Sequence, residues 1–179
     1  AQKIFSHMNL KLSFSPCPND TFIFDALVNA KIDAGDLIFD VSLDDVEALN
    51  ETVLAGIPDV SKISYALLPA VADKYMLLDS GSALGKGVGP LLITHDGNLK
   101  ELSNEICVAI PGKHTTAHML FSFAYPDHQH KIFLRYDEIE EFVSGGKGAG
   151  VIIHENRFTY QSKGLFLIRD LGAFWEFKT

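Results

Sequence analysis

The chain is poor in cysteine: only Cys17 and Cys107 occur among its 179 residues, and they are far apart. The disulfide frameworks of small secreted domains need more cysteines at shorter spacings. The two residues also do not match the Cys-x-x-Cys spacing of structural zinc sites. These absences favour a reduced, cytoplasmic protein without a thiolate metal site.

Basic side chains are also in the minority, with 15 Lys and Arg against 23 Asp and Glu and a formal net charge of −8. Such a balance disfavours sequence-independent binding to nucleic acid or to anionic lipid. No apolar run approaches the roughly 20 residues that a membrane-spanning helix requires. We therefore expect no nucleic-acid or membrane partner, although helix ends can still bind a small anion locally.

Apolar residues are plentiful, at 47% of the chain, which is enough for a packed core. Strand-like and helix-like patterns alternate, as is typical of an α/β fold with a mainly parallel sheet. Helices are predicted at 21–30, 45–55, 115–123 and 137–143, and from about Ser64. Strands are predicted at 10–14, 37–41, 60–63, 75–78, 90–94, 106–110, 132–136, 150–153 and 165–168.

The polar stretch 95–104 interrupts this alternation, after which the strand-helix rhythm restarts. The restart predicts two lobes, 8–94 and 95–179. Residues 1–7 lack the basic and long apolar regions of a secretory signal. Because Ser6 and His7 directly precede Met8, we interpret 1–7 as a cloning remnant.

The most specific local pattern is Ser-Pro-Cys-Pro-Asn-Asp at 15–20. Pro16 and Pro18 fix their own φ angles after an apolar strand, and Asn19 or Asp20 can accept a hydrogen bond from the first N–H groups of the next helix. Such a turn can offer backbone donors to an anion.

Hydroxyl side chains follow two further strands. Ser64, and Thr115 or Thr116, stand where an apolar strand turns into a helix, so hydroxyls and first-turn N–H groups could bind a carboxylate. From position alone, ordinary helix capping is the more frequent role of such residues.

His154 follows the apolar run 151–153 and is the candidate for catalysis. Imidazole transfers protons near neutral pH, and a shielded position at a strand end would let its neighbours tune its pKa. A structural histidine is the alternative. Glu155 would point to the other face if the strand continued, which favours an orienting or structural role.

The other histidines and the glycine-rich stretch do not predict a metal site or a phosphate-binding loop. His114 and His118 are four apart on a predicted helix but lack the Glu of HExxH and a third ligand, so they do not predict a metal site. His128 and His130 are predicted to lie in a solvated turn. The glycine-rich stretch 81–90 departs from phosphate-loop spacing and is predicted to be a flexible loop.

Three motifs occur in order: SPCPNDTFIFDAL at 15–27, PGKHTTA at 111–117 and GVIIHENRFTY at 150–160. In these motifs the chain resembles the 1,4-dihydroxy-6-naphthoate synthase family of the futalosine route to menaquinone (vitamin K2). The resemblance implies a two-lobed fold like that of type II periplasmic binding proteins, with a cleft between the lobes. In that architecture the chain returns to the first lobe near its end, so we expect this chain to be truncated at its C-terminus.

The resemblance also implies a cytoplasmic lyase that converts cyclic dehypoxanthinyl futalosine to 1,4-dihydroxy-6-naphthoate without a metal or organic cofactor. His154 would be the proton acceptor. The family's substrate contacts map onto Asn50, Lys62, Ile63, Ser64, Thr116 and Ala117. One departure is Lys163, which stands where relatives can have an aromatic residue and weakens assignments after Tyr160.

Two other functions remain open. The same architecture serves noncatalytic solute-binding modules, and fold alone does not fix function. The missing secretion signal counts against that reading. Chorismate dehydratase of the same pathway shares the fold but matches SPCPND and IIHE less well.

Overall fold

The structure is a computed structural model that describes residues 7–179, so the predicted cloning remnant up to Ser6 lies outside the described residues. Packing divides the chain into two compact units, which meet in sequence between Ala83 and Leu84. Within the described part, no helix is long and apolar enough to cross a membrane.

The first unit contains a three-stranded parallel sheet in the order β2-β1-β3. Its strands are β1 (Met8–Phe14), β2 (Leu37–Leu43) and β3 (Val60–Ser61). Its helices are α1 (Pro18–Val28), α2 (Val46–Leu54) and α3 (Leu68–Val71), the last preceded by a 3₁₀ turn at Tyr65–Leu67. Asp45 caps α2 by accepting hydrogen bonds from the N–H groups of Glu47 and Ala48.

The prediction of a strand at 75–78 is wrong. The Tyr75 hydroxyl donates a hydrogen bond to the Pro58 carbonyl at 2.8 Å. The following Met76 is 87% exposed, and the run pairs with no strand. A short apolar run does not by itself distinguish a strand from an apolar loop.

The second unit contains a five-stranded sheet in the order β6-β5-β7-β4-β8. Its strands are β4 (Leu91–Thr94), β5 (Val108–Ile110), β6 (Lys131–Phe133), β7 (Ala149–Ile152) and β8 (Phe166–Asp170). Its helices are α4 (Thr116–Ala124), α5 (Ile139–Ser144), α6 (Asn156–Thr159) and α7 (Leu171–Lys178), with a 3₁₀ turn at Tyr160–Lys163. Strands β6, β5 and β7 are parallel, whereas β4 runs antiparallel to β7 and β8.

The placement of β4 corrects the predicted first lobe, which extended to residue 94. All four residues of β4 are buried, as expected for a strand inside a covered sheet. The strand belongs to the second sheet, because Leu91 pairs with Ile152 of β7 and with Asp170 of β8. Residues 95–104 therefore connect β4 to β5 within the second unit.

Apolar clusters cover both faces of this sheet. One cluster joins Val108 and Leu92 to Phe121 of α4 and Leu171 of α7. The other joins Ile93 to Ile139 and to further residues of α5. Helix α7 was not predicted from the sequence, and its first turn is capped by Asp170, whose Oδ1 accepts a hydrogen bond from the Ala173 N–H at 2.9 Å.

His128 does not lie in a solvated turn, as the sequence predicted, but is 1% exposed. Its ring meets the Phe121 ring edge-on at 5.5 Å. Burial lowers the pKa of His128, and hydrogen bonds with the backbone of His130 and Ile106 oppose that effect in part. The histidine is therefore part of the core beneath α4.

This burial predicts a pH-dependent stability. Because the folded pKa of His128 lies below its ordinary value of 6.5, the unfolded chain takes up a proton at a higher pH than the folded chain. The contribution is complete above about pH 6.5 and is lost as the pH falls towards the folded pKa, at about 1.4 kcal/mol for each pH unit between the two values.

Urea unfolding at pH 7.5 and 5.5 should show this loss in the native protein and a smaller loss in His128→Gln. The exposed His95 provides a control, since His95→Gln should keep the native pH dependence. An unchanged pH dependence in His128→Gln would contradict the assignment.

Candidate functional site

At one edge of the first sheet, the segments that follow β1 and β3 are joined by an ion pair. The two strands are parallel, with Ser13 in register with Ser61, so their carboxyl ends share an edge. Lys62 Nζ lies 3.2 Å from Asp20 Oδ1 and donates a hydrogen bond to the Gly81 carbonyl at 2.8 Å. The predicted binding residue Lys62 is therefore fixed by a buried carboxylate.

Asp20 was predicted as a possible helix cap but has another role. Helix α1 begins at Pro18 with Cys17 as its N-cap residue, and Asp20 is already in the first turn. Its Oδ2 accepts hydrogen bonds from the Ser15 N–H at 3.1 Å and the Ser15 hydroxyl at 2.8 Å. Asp20 thus locks the turn after β1 and orients Lys62. The parallel order of β1 and β3 was the signal that could have revealed this pairing.

Asn50 and Ser64, both predicted to bind substrate, contact each other. Asn50 on α2 is fully buried, its Oδ1 accepts a hydrogen bond from the Ser64 N–H at 2.9 Å, and its Nδ2 lies 3.1 Å from the Ser64 hydroxyl. Ser64 is the residue before the 3₁₀ turn that leads into α3. The neighbouring Ile63 packs against the core cluster of Val53. Asn50 therefore shapes the turn that carries Ser64.

In the second unit, the start of α4 separates the roles of Thr115 and Thr116. The Thr115 hydroxyl accepts a hydrogen bond from the His118 N–H at 3.2 Å and donates one to the Gly112 carbonyl at 2.9 Å, so it caps the helix. Thr116 is the first residue of α4, and the Ala117 side chain is buried in the core. N–H groups in a first helical turn lack intrahelical acceptors, so the backbone of Thr116 and Ala117 is suited to bind an anion.

His154 lies at the same edge of the second sheet as the start of α4. Strands β5 and β7 are parallel, with Ala109 in register with Gly150, and both segments follow their carboxyl ends. His154 comes two residues after β7, has a φ of 57° and is exposed. The predicted shielding is therefore wrong, because the side chain is exposed in the turn that follows the buried strand.

One tyrosine contacts His154, and an arginine shortly after it is held by two hydrogen bonds. The Tyr136 ring meets the His154 ring edge-on at a centroid distance of 5.6 Å. Arg157 on α6 donates hydrogen bonds to the Gly89 carbonyl at 2.6 Å and to Asp170 at 2.5 Å. Sequence reasoning missed Tyr136, although it follows β6, which is parallel to β5 and so ends at the same edge.

Of the two histidines at 114 and 118, His118 contacts a backbone carbonyl and a lysine. His118 Nδ1 lies 2.7 Å from the Lys113 carbonyl, and its Nε2 lies 3.4 Å from Lys131 Nζ. Across residues 7–179, no group of three His, Cys, Asp or Glu side chains could hold a metal ion. Burial raises the pKa of Cys107, which disfavours a reactive thiolate there.

Comparison with known proteins decides the family. The family described as menaquinone biosynthesis matches residues 10–179. This chain belongs to that family. It is 47% identical over 171 residues to a 1,4-dihydroxy-6-naphthoate synthase of Thermus thermophilus, covering 95% of this chain and 61% of the relative.

A second relative of the same name, from Streptomyces coelicolor, is 40% identical over 176 residues, with 95% of this chain and 61% of the relative covered. The chain thus spans about three fifths of the length of these two relatives. The three motifs and the predicted site residues lie within the matched family region.

Solved structures confirm the α/β fold. A crystal structure of an Archaeoglobus fulgidus protein matches with a TM-score of 0.84 and 27% identity, over 96% of this chain and 63% of that chain. The alkanesulfonate-binding protein of Xanthomonas axonopodis matches with a TM-score of 0.67 and 14% identity, over 90% of this chain and 60% of that chain. The second likeness concerns the fold alone.

Proposed function

We propose that this protein acts as a cytoplasmic 1,4-dihydroxy-6-naphthoate synthase, a carbon-carbon lyase that uses cyclic dehypoxanthinyl futalosine in menaquinone biosynthesis. The observation that carries the proposal is the position of His154 and the α4 start at one edge of the second sheet, in a chain of this family. The named activity of the two relatives agrees with it.

His154 is the proposed general base. It removes a proton from the substrate and thereby starts elimination of the sugar-derived fragment, since imidazole is the side chain best suited to proton transfer near neutral pH. Its exposure gives a substrate access to the ring. The backbone N–H groups of Thr116 and Ala117 bind the substrate carboxylate with the aid of the α4 dipole.

Asn50, Lys62, Ile63 and Ser64 are further proposed substrate-binding residues, as the resemblance to the family implies. Lys62 supplies a positive charge held by Asp20, and the Asn50–Ser64 pair fixes the turn that presents the Ser64 hydroxyl. These arrangements reduce the conformational freedom that binding would otherwise remove. The proposed chemistry assigns no step to a metal or organic cofactor.

The direct test is detection of 1,4-dihydroxy-6-naphthoate by mass spectrometry after the protein is incubated with cyclic dehypoxanthinyl futalosine. The Thermus thermophilus relative provides the positive control. Product above the no-enzyme background supports the proposal. A folded protein that yields none, beside an active relative, contradicts it.

A noncatalytic solute-binding module is the second candidate, favoured by the fold likeness to the alkanesulfonate-binding protein. Calorimetric titration with the futalosine compound and with simple organic anions distinguishes the two. Tight binding without turnover would favour the binding module.

A further inference from the structure

We propose that Glu140 is a positioning residue for His154. The inference rests on the proposed function, in which His154 transfers a proton. Glu140 lies on α5 and is 7% exposed, and nothing in the motif at 150–160 points to it. Its contacts fix the segment that follows His154.

Two donors from that segment converge on one oxygen atom. Glu140 Oε2 accepts a hydrogen bond from Asn156 Nδ2 at 2.9 Å and forms an ion pair with Lys163 Nζ at 2.5 Å. Asn156 begins α6 directly after the His154 turn, and Lys163 ends the following 3₁₀ turn. A single carboxylate therefore holds both ends of the stretch 156–163.

Helix α5 is a rigid base for this contact because it packs directly against β7. A Cβ added to Gly150 of β7 would lie 2.5 Å from Ile139 and 2.7 Å from Val143, both on α5. The absence of that Cβ lets the helix approach the strand that leads to His154. This packing fixes the position of Glu140 relative to the carboxyl end of β7.

The backbone of His154 is the reason that such a fixation matters. A left-handed conformation is unfavourable for a residue with a Cβ, so neighbouring contacts must maintain it. Tyr136 contacts the imidazole ring from the turn before α5, and Glu140 secures the chain that leaves the histidine. Both contacts originate from one short stretch, 136–140.

The test compares Glu140→Gln with Glu141→Gln, a neighbour on the same helix whose side chain is exposed. For each variant, the His154 imidazole signals are followed by NMR through a pH titration, and kcat and KM are measured with the futalosine substrate. We expect Glu140→Gln to move the His154 signals and their titration midpoint. We expect kcat to fall about 10- to 100-fold while KM changes less than about threefold, because displacement of a catalytic group affects chemistry more than binding.

Glu141→Gln should match the native protein in every measurement. Lys163→Met and Asn156→Ala each remove one donor, and each should give part of the Glu140→Gln effect. If Glu140→Gln fails to fold, the same measurements on these two variants test the proposal. Unmoved His154 signals and a native kcat in a folded Glu140→Gln, or in both donor variants, would overturn the proposal.

Failure of the proposed function gives a different result. If His154→Ala retained turnover, His154 would not be the base, whereas the NMR signals would still report whether Glu140 orients the ring. A shift of the His154 signals without any change in kcat would overturn the positioning role in catalysis.

Discussion

Replacement of His154 with alanine is expected to lower kcat by about 10²- to 10⁴-fold, the range that a positioned general base contributes. Substrate affinity should change little, because the proposed carboxylate site uses the N–H groups at the start of α4. The measurements are kcat from product formation and Kd from calorimetric titration of the same preparation.

His95→Ala provides the matched control for this variant. His95 is also an exposed histidine of the second unit, but it follows β4, whose antiparallel direction places it at the opposite sheet edge. It should keep native kcat. Full turnover in His154→Ala would remove His154 from the mechanism.

Replacement of Asn50 with alanine should lower the free energy of unfolding by about 2–4 kcal/mol. The change removes two hydrogen bonds to Ser64 and leaves the buried Ser64 N–H without its acceptor. Loss of these contacts also releases the turn before α3, so affinity for the futalosine substrate should fall in the same variant. Urea unfolding gives the first quantity, and calorimetric titration gives the second.

Two further changes on α2 make this result specific. Glu51→Gln alters an exposed neighbour and should stay within about 0.5 kcal/mol of the native protein. Asn50→Asp keeps an acceptor for the Ser64 N–H but places a carboxylate in a fully buried position beside Glu47 Oε2, so it should be at least as destabilising as Asn50→Ala. Equal stability of Asn50→Ala and Glu51→Gln would contradict the role assigned to Asn50.

The elements of the fold could largely be predicted because periodicity and turn residues are local signals. Helix α2 lies within the predicted 45–55, and β7 matches the predicted 150–153 to within one residue. The neighbours of a strand are not a local property. The run at 91–94 has the same pattern whether it joins one sheet or another, and only its antiparallel partners decide that it belongs to the second unit.

The candidate site was likewise predictable where the signal is local and unpredictable where it depends on distant residues. Position after a strand indicated Ser64 and His154, whereas the contacts that hold them come from distant parts of the chain. Tyr136 precedes α5 and Glu140 lies on α5, and β7 separates both from His154, so no spacing rule links them to it. His154 is exposed and has a left-handed backbone, and its own sequence specifies neither property.

The antiparallel position of β4 also has a consequence for the order in which the chain folds. The three strands that form the first sheet all lie within residues 8–61, so their mutual pairing needs no later part of the described chain. The second sheet has β4 between its two latest strands, and Leu91 must wait for Ile152 and Asp170. Such non-local pairing slows folding, because the loop-closure entropy is lost before the contacts form. We therefore expect β4 to stay unpaired and prone to aggregation until β7 and β8 are available.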